Sequence, residues 1–193
     1  GVRIAAPCDT LLIKRNQIRR CGLAGILTHP GAEVLHLAIE DNVIADIPGT
    51  PDGIGAAGIS LAAVLEGQAR GNSIRNVGAN APEGALVAGI AMQGIGAVAI
   101  EGNSIYLIAP GAQGQGWGVL VRPPFFQLAL AGNRIDGVAV RSDEPTLWKA
   151  IEIGAPGDVE DILNRGDAGK DDFTGATVTL PGFGAAELGY AVV

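Results

Sequence analysis

Few side chains in this chain are equipped for chemistry. There are two histidines, His29 and His36, and two cysteines, Cys8 and Cys21. A structural metal site needs about four ligands at characteristic spacings, so no metal ligand set is read here. A Cys8 to Cys21 bridge stays open, because pairing is a matter of geometry that sequence does not supply. The adjacent aspartates Asp171 and Asp172 stand in GDAGKDDFTG, which lacks the spacing of a calcium-binding loop. Gly53-Ile54-Gly55-Ala56-Ala57-Gly58 spells the glycine pattern of a dinucleotide-binding turn. That turn needs a strand before it, a helix after it and an acid about 20 residues on. IPGTPD precedes it and Val77 to Asn80 supply no acid, so no cofactor is expected. Trp117, closing GAQGQGWG with Phe125 and Phe126 just beyond, is the best surface on which a ring-shaped ligand could stack.

Composition narrows the setting in which these residues act. With 193 residues, 48% hydrophobic and 17% charged, one sizeable core is the default. Thirty glycines and 11 prolines imply frequent turning, and 4% aromatics leave the core to Ile, Val, Leu and Ala, a palette that suits strands. A net charge of −7 offers no basic footprint, so nucleic acid is not an expected partner. No uncharged apolar run approaches 20 residues and no leader is visible, so neither membrane insertion nor a signal peptide is expected. Lacking an initial methionine, the chain reads as an excised segment.

The elements that must position these residues come from a repeat. An Asn stands two residues before an aliphatic residue in KRNQI, EDNVI, RGNSI, EGNSI and AGNRI. These are Asn16, Asn42, Asn72, Asn103 and Asn133, spaced 26, 30, 31 and 30. Three residues earlier stand Ile13, Ile39, Ala69, Ile100 and Leu130; five earlier, Leu11, Leu37, Gly67, Val98 and Leu128. Two later come Ile18, Ile44, Ile74, Ile105 and Ile135, and five later Cys21, Ile47, Val77, Ile108 and Val138. Spacing of two on both sides is strand alternation and excludes helix, so each repeat reads strand, corner at the Asn, strand. A third element opens at Gly25-Ile26, Gly58-Ile59, Gly89-Ile90 and Gly118-Val119. Three strands per turn close a coil, and identical columns at a fixed period stack the turns on one another.

The expected fold is therefore all-β: a parallel β-helix, a three-strand solenoid of about five to six rungs. The Asn column forms a structural ladder, with Asn tolerating the left-handed corner and its amides bonding along the stack. Lys14, Glu40, Arg70, Glu101 and Ala131 form a mostly charged column that sets register. Residues 147–154, LWKAIEIG, suit one more turn, with Glu152 continuing the charge column and Gly154 in the place of Asn. Residues 158–166 carry the signals of a short helix, with Asp158 as N-cap and Gly166 past its end. The division expected is residues 1–154 as β-helix and 155–193 as an irregular C-terminal cap or the start of a next module. The excursions 46–57, 76–88 and 109–117 all fall between the third strand and the next Gly-Ile strand, so they crowd one side. More turns before Leu11 and a cap or partner after Val138 are expected to cover the open strand edges.

The Gly-Ile strand followed by an aliphatic residue and (E/R/A)-G-N-x-I resembles the right-handed parallel β-helix repeat of the pectate-lyase-like superfamily, over roughly residues 11–142. The resemblance implies a right-handed coil and a groove beside the Gly-Ile strands where saccharides lie. It also implies a location outside the cytoplasm or at the cell surface, and, for some fibre proteins of this fold, a homotrimer. It leaves function open, since the superfamily holds lyases, hydrolases, epimerases, adhesins and viral fibre proteins. Outward positions on the Gly-Ile strands are Leu27, Ser60, Ala91 and Leu120, then His29, Ala62, Gln93 and Arg122. None is a carboxylate, and the N-T-D, G-D-D, H-G and R-I-K signatures are absent, so no catalytic residue is assigned. The ligand-binding candidates are Trp117, Arg122, Gln93 and His29.

Two functions follow. The first is a structural or carbohydrate-binding segment of a larger surface, secreted or fibre-like protein, whose partners are a polysaccharide and other domains of the same chain. The alternative is a polysaccharide lyase or glycoside hydrolase whose catalytic residues lie outside this segment.

Overall fold

Runs such as Leu37-Ala38-Ile39 alternate large apolar and smaller side chains, a period that turns every second residue into a core and its neighbours outward. The computed structural model of the chain describes residues 1–50, 55–110, 115–138, 148–153, 158–162 and 165–167, and its regular elements there are all strands.

The strands lie on three faces. The first face holds β1 (Val2–Ile4), β4 (Ala24–Thr28), the opening halves of β7 (Gly55–Arg70), β9 (Leu86–Glu101) and β11 (Gln115–Ala131), and β13 (Trp148–Ile153). The second holds β2 (Cys8–Lys14), β5 (Val34–Glu40), the closing halves of β7, β9 and β11, and β14 (Asp158–Ile162). The third holds β3 (Gln17–Arg19), β6 (Val43–Ile47), β8 (Ser73–Val77), β10 (Ser104–Ile108), β12 (Arg134–Val138) and β15 (Arg165–Asp167). Every described pairing is parallel. The chain is a parallel β-solenoid that makes about four turns between Asn16 and Asn133, with like residues in register. Ile44 pairs Ile74, Ile74 pairs Ile105 and Ile105 pairs Ile135, while Ile39, Ala69, Ile100 and Leu130 form a second column. These columns fill one continuous core whose isoleucines are almost wholly buried.

The glycines of the Gly-Ile strands are required by this packing. A Cβ on Gly89 would overlap Ile105 Cγ2 across the core and come within 2.7 Å of the Gly118 carbonyl oxygen. Gly25, Gly58 and Gly118 meet Ile44, Ile74 and Ile135 in the same way. The Ile column of the third face therefore dictates glycine on the first.

Three expectations are corrected. The left-handed residue of the corner is not the Asn but the residue before it: Arg15, Asp41, Gly71, Gly102 and Gly132 have φ of 56, 54, 63, 59 and 60°. This frees the Asn to turn its amide inward, and it explains the Gly-Asn pairs of the later repeats. Residues 158–162 form a strand and not a helix, because their backbone groups pair with Gln127–Ala131 of β11. Glu152 does not extend the charge column. It pairs with Leu120 on the first face, since the chain must cross that face before it can return to the second. Flanking pairs Ala131 with Ile162 and Arg134 with Arg165 keep the register on either side of 163–164. Asn164, outside the described residues, follows Asn133 by 31 positions, the interval from Asn72 to Asn103. Asp171, Asp172, Gly53 and Gly154 also lie outside the described residues.

Candidate functional site

Position in the stack decides what each polar group can do, and the ladder comes first. Asn42, Asn72, Asn103 and Asn133 are at most 1% exposed. Each Nδ2–H2 donates backward to a carbonyl of the preceding rung, at Ile13, Ile39, Ala69 and Ile100 over 2.8–2.9 Å. Asn16, Asn42, Asn72 and Asn103 also donate Nδ2–H forward to the Oδ1 of the next Asn over 2.9–3.1 Å. The same Oδ1 accepts the backbone N–H of the previous Asn over 3.0–3.1 Å. In a buried amide with both donors and its acceptor engaged, these bonds offset the cost of desolvation. The buried members Asn42, Asn72 and Asn103 are structural and leave no group free for a ligand.

The charge column closes at one step. Lys14 Nζ lies 2.6 Å from Glu40 Oε2, and Gln68 Nε2 donates to Glu40 Oε1 over 2.7 Å. The Lys14 hydrogen bond holds the Glu40 carboxyl below its ordinary range, against an opposing effect of desolvation. Arg70 and Glu101 are in register without an ion pair between them, as is common for long exposed side chains. On the second face His36 points outward, with Nδ1 at 3.1 Å from Glu66 Oε2. On the third, Arg75 Nη1 donates to the Tyr106 hydroxyl over 3.0 Å, which raises the guanidinium further.

The outer surface of the first face forms an open groove of about 370 Å³. Leu23, Leu27, Ala57, Ser60, Leu86, Ala91 and Leu120 line it, and Gln93 and Arg122 stand at its edge. Gln93 and Arg122 are register neighbours and both are exposed, so the structure brings these two sequence candidates together. One strand spacing, about 4.8 Å, separates their backbones. Together they offer a guanidinium fork and an amide donor and acceptor beside an apolar floor.

Trp117 adjoins that floor but is only 7% exposed, packed with Ala88 and Leu120 in an apolar cluster separate from the core. Its Nε1–H donates to Glu152 Oε2 over 2.6 Å. The indole is therefore buried beneath its neighbours rather than an open stacking surface, and it does not line the groove. The three aromatics do not gather: Phe125 turns into the core and Phe126 is 75% exposed, because alternation resumes after the register shift between Arg122 and Phe125. His29 lies one residue past β4, on the turn to β5, where its Nδ1 accepts the Gly31 N–H over 3.3 Å. It does not line the groove.

Cys8 and Cys21 are free thiols, both packed on the core margin. Among the described residues no three His, Cys, Asp or Glu side chains gather to hold a metal ion.

Sequence reasoning missed a second left-handed column, four residues after Asn16, Asn42, Asn72 and Asn103: Arg20, Asp46, Asn76 and Leu107, with φ of 54 to 59°. Asn76 Nδ2 donates to Asp46 Oδ1 over 2.8 Å within it. Asp and Asn at this offset were the available signal, and the column's mixed residue types hid it.

No protein-family model, curated protein or solved structure matches this chain.

Proposed function

We propose that the chain is a rigid rod segment of a larger surface, secreted or fibre-like protein, and that its first face takes an extended, acidic saccharide. The rod is read as right-handed, and as running to five or six rungs, in line with the pectate-lyase-like repeat that the sequence resembles. The continuous asparagine ladder carries the first half of this reading: each buried amide binds the rung on either side, so neighbouring rungs cannot slide or splay independently. The groove supports the second half. Apolar side chains such as Leu27 and Leu120 suit the apolar faces of sugar rings, and the Arg122 guanidinium suits a carboxylate.

The test is a titration of the chain with oligouronates and with neutral oligosaccharides of equal length. The expected result is saturable binding of the acidic series, weakened about tenfold in Arg122→Ala, the size of one charge-assisted hydrogen bond. Silence across both series, or binding indifferent to Arg122→Ala, would refute the saccharide reading and leave the rod.

A further inference from the structure

The outer side of the second face carries a column that its own chain leaves half used. Lys14, Glu40, Arg70 and Glu101 stand in register, one to a rung, with signs that alternate down the stack. Lys14 reaches Glu40 at 2.6 Å, whereas Arg70 and Glu101 form no ion pair among the described residues. Four alternating charges, reversed end to end, set each charge against its opposite. A rotation of 180° about an axis along the strands, placed between the Glu40 and Arg70 rungs, performs that reversal and lays a second copy face to face with the first. Lys14 then faces Glu101 of the second copy and Glu40 faces its Arg70, and the symmetry makes each contact twice.

The other outward columns of this face obey the same operation. His36, 3.1 Å from Glu66 within the chain, faces Glu66 of the second copy. Leu12 faces Ala99 and Ala38 faces Gln68, a larger side chain against a smaller one at both steps. No like charges meet in these columns. Moving the axis onto the Glu40 rung would set Glu40 against itself, and moving it one rung along would use only half of the column, so the charges select one register. A rung before Lys14 would face Ala131, which is uncharged, and would leave the four contacts as they are. Four rungs at about 4.8 Å and strands of seven residues at about 3.3 Å give a face of roughly 440 Å² per copy. A pair hides about 900 Å², the range of weak, reversible interfaces, in which charge decides the partner.

We propose that the second face is the self-complementary interface of a two-fold dimer, in which a second copy packs with its rungs in reverse order. The first-face groove, with Gln93 and Arg122 at its edge, stays open in this pair.

The test is sedimentation of the chain over a dilution series reaching about 1 mM, the concentration a weak contact requires. The expected result is a reversible monomer–dimer equilibrium that salt shifts toward monomer. Two charge swaps probe the register: Arg70→Glu with Glu101→Arg, and Lys14→Glu with Glu40→Lys. Each keeps the net charge and keeps opposite signs at 14 and 40 and at 70 and 101, yet turns all four facing contacts into like pairs. Each alone is expected to weaken the dimer at least about tenfold. Mixed together, the two swapped chains face each other with opposite charges throughout, so they form a heterodimer of about the parent's strength, a rescue that damage to the fold does not produce. Amide exchange in Ser73–Val77 at the parent's rate identifies variants with an intact ladder. The proposal is overturned by a parent that stays monomeric, assembles beyond a dimer or dimerises regardless of salt. It is overturned equally by a swapped chain with an intact ladder that dimerises like the parent, or by two such chains that do not associate when mixed.

Discussion

Replacing Asn72 by Asp changes one nitrogen to oxygen at the centre of the ladder, with no change of shape. Asn72 is 1% exposed, so the new group has no access to water. Oδ1 continues to accept from the Asn42 backbone N–H and Nδ2, each at 3.0 Å. The second oxygen takes the place of Nδ2, which donated to Ile39 O at 2.9 Å and to Asn103 Oδ1 at 3.0 Å. Two donors are lost and three acceptors are set against each other in a dry site. Leaving a buried polar group unsatisfied costs about 1–3 kcal/mol, so two lost bonds give roughly 2–6 kcal/mol before the burial of charge is added. Protonation restores one donor, so the folded-state pKa of the new carboxyl lies above its unfolded value of about 3.9. The sign follows: the deficit is smallest below that value and widens as pH rises through the folded pKa. Denaturant midpoints of parent and Asn72→Asp at pH 4 and pH 7 measure it. Because repeat arrays open locally, exchange of amides in Val43–Ile47 and Ser73–Val77 reports the same loss where global unfolding is not two-state. Equal stability at pH 7, or a deficit that narrows as pH rises, would refute the account of the ladder.

Two further outcomes test the packing and the corners. Gly89→Ala places a methyl group against Ile105 Cγ2 and the Gly118 carbonyl, and is expected to destabilise by about 1–3 kcal/mol, the usual cost of overpacking; an unchanged thermal midpoint would show that the first and third faces are less tightly apposed than the glycine column implies. Leu107 holds φ of 55° at 40% exposure, in the same column as Asp46 and Asn76. Leu107→Asn is expected to stabilise by about 1 kcal/mol, since Asn tolerates this region and Leu does not; a lower denaturant midpoint would overturn that reading.

How much was legible in the sequence differs from element to element. The inward columns on both sides of each Asn were legible because strand alternation and a period of 26–31 residues are local and repeated, and the register pairs those residues. The candidate groove was legible in part. Gln93 and Arg122 share a register step because both are counted from a Gly-Ile pair. Trp117 and His29 were placed less well, because burial and a turn one residue past a strand end are not properties of spacing.

By itself, then, the sequence determined the solenoid, its period and which residues stack, since a column of like side chains can be buried only against copies of itself. Tertiary structure decided which residue takes the left-handed corner, which face Glu152 joins, and that residues 158–162 extend as a strand rather than coil as a helix. In each case the local signals were satisfied by more than one conformation. The hydrogen-bonding edge of the rung already in place selected among them, and that edge exists only once the preceding turn has folded.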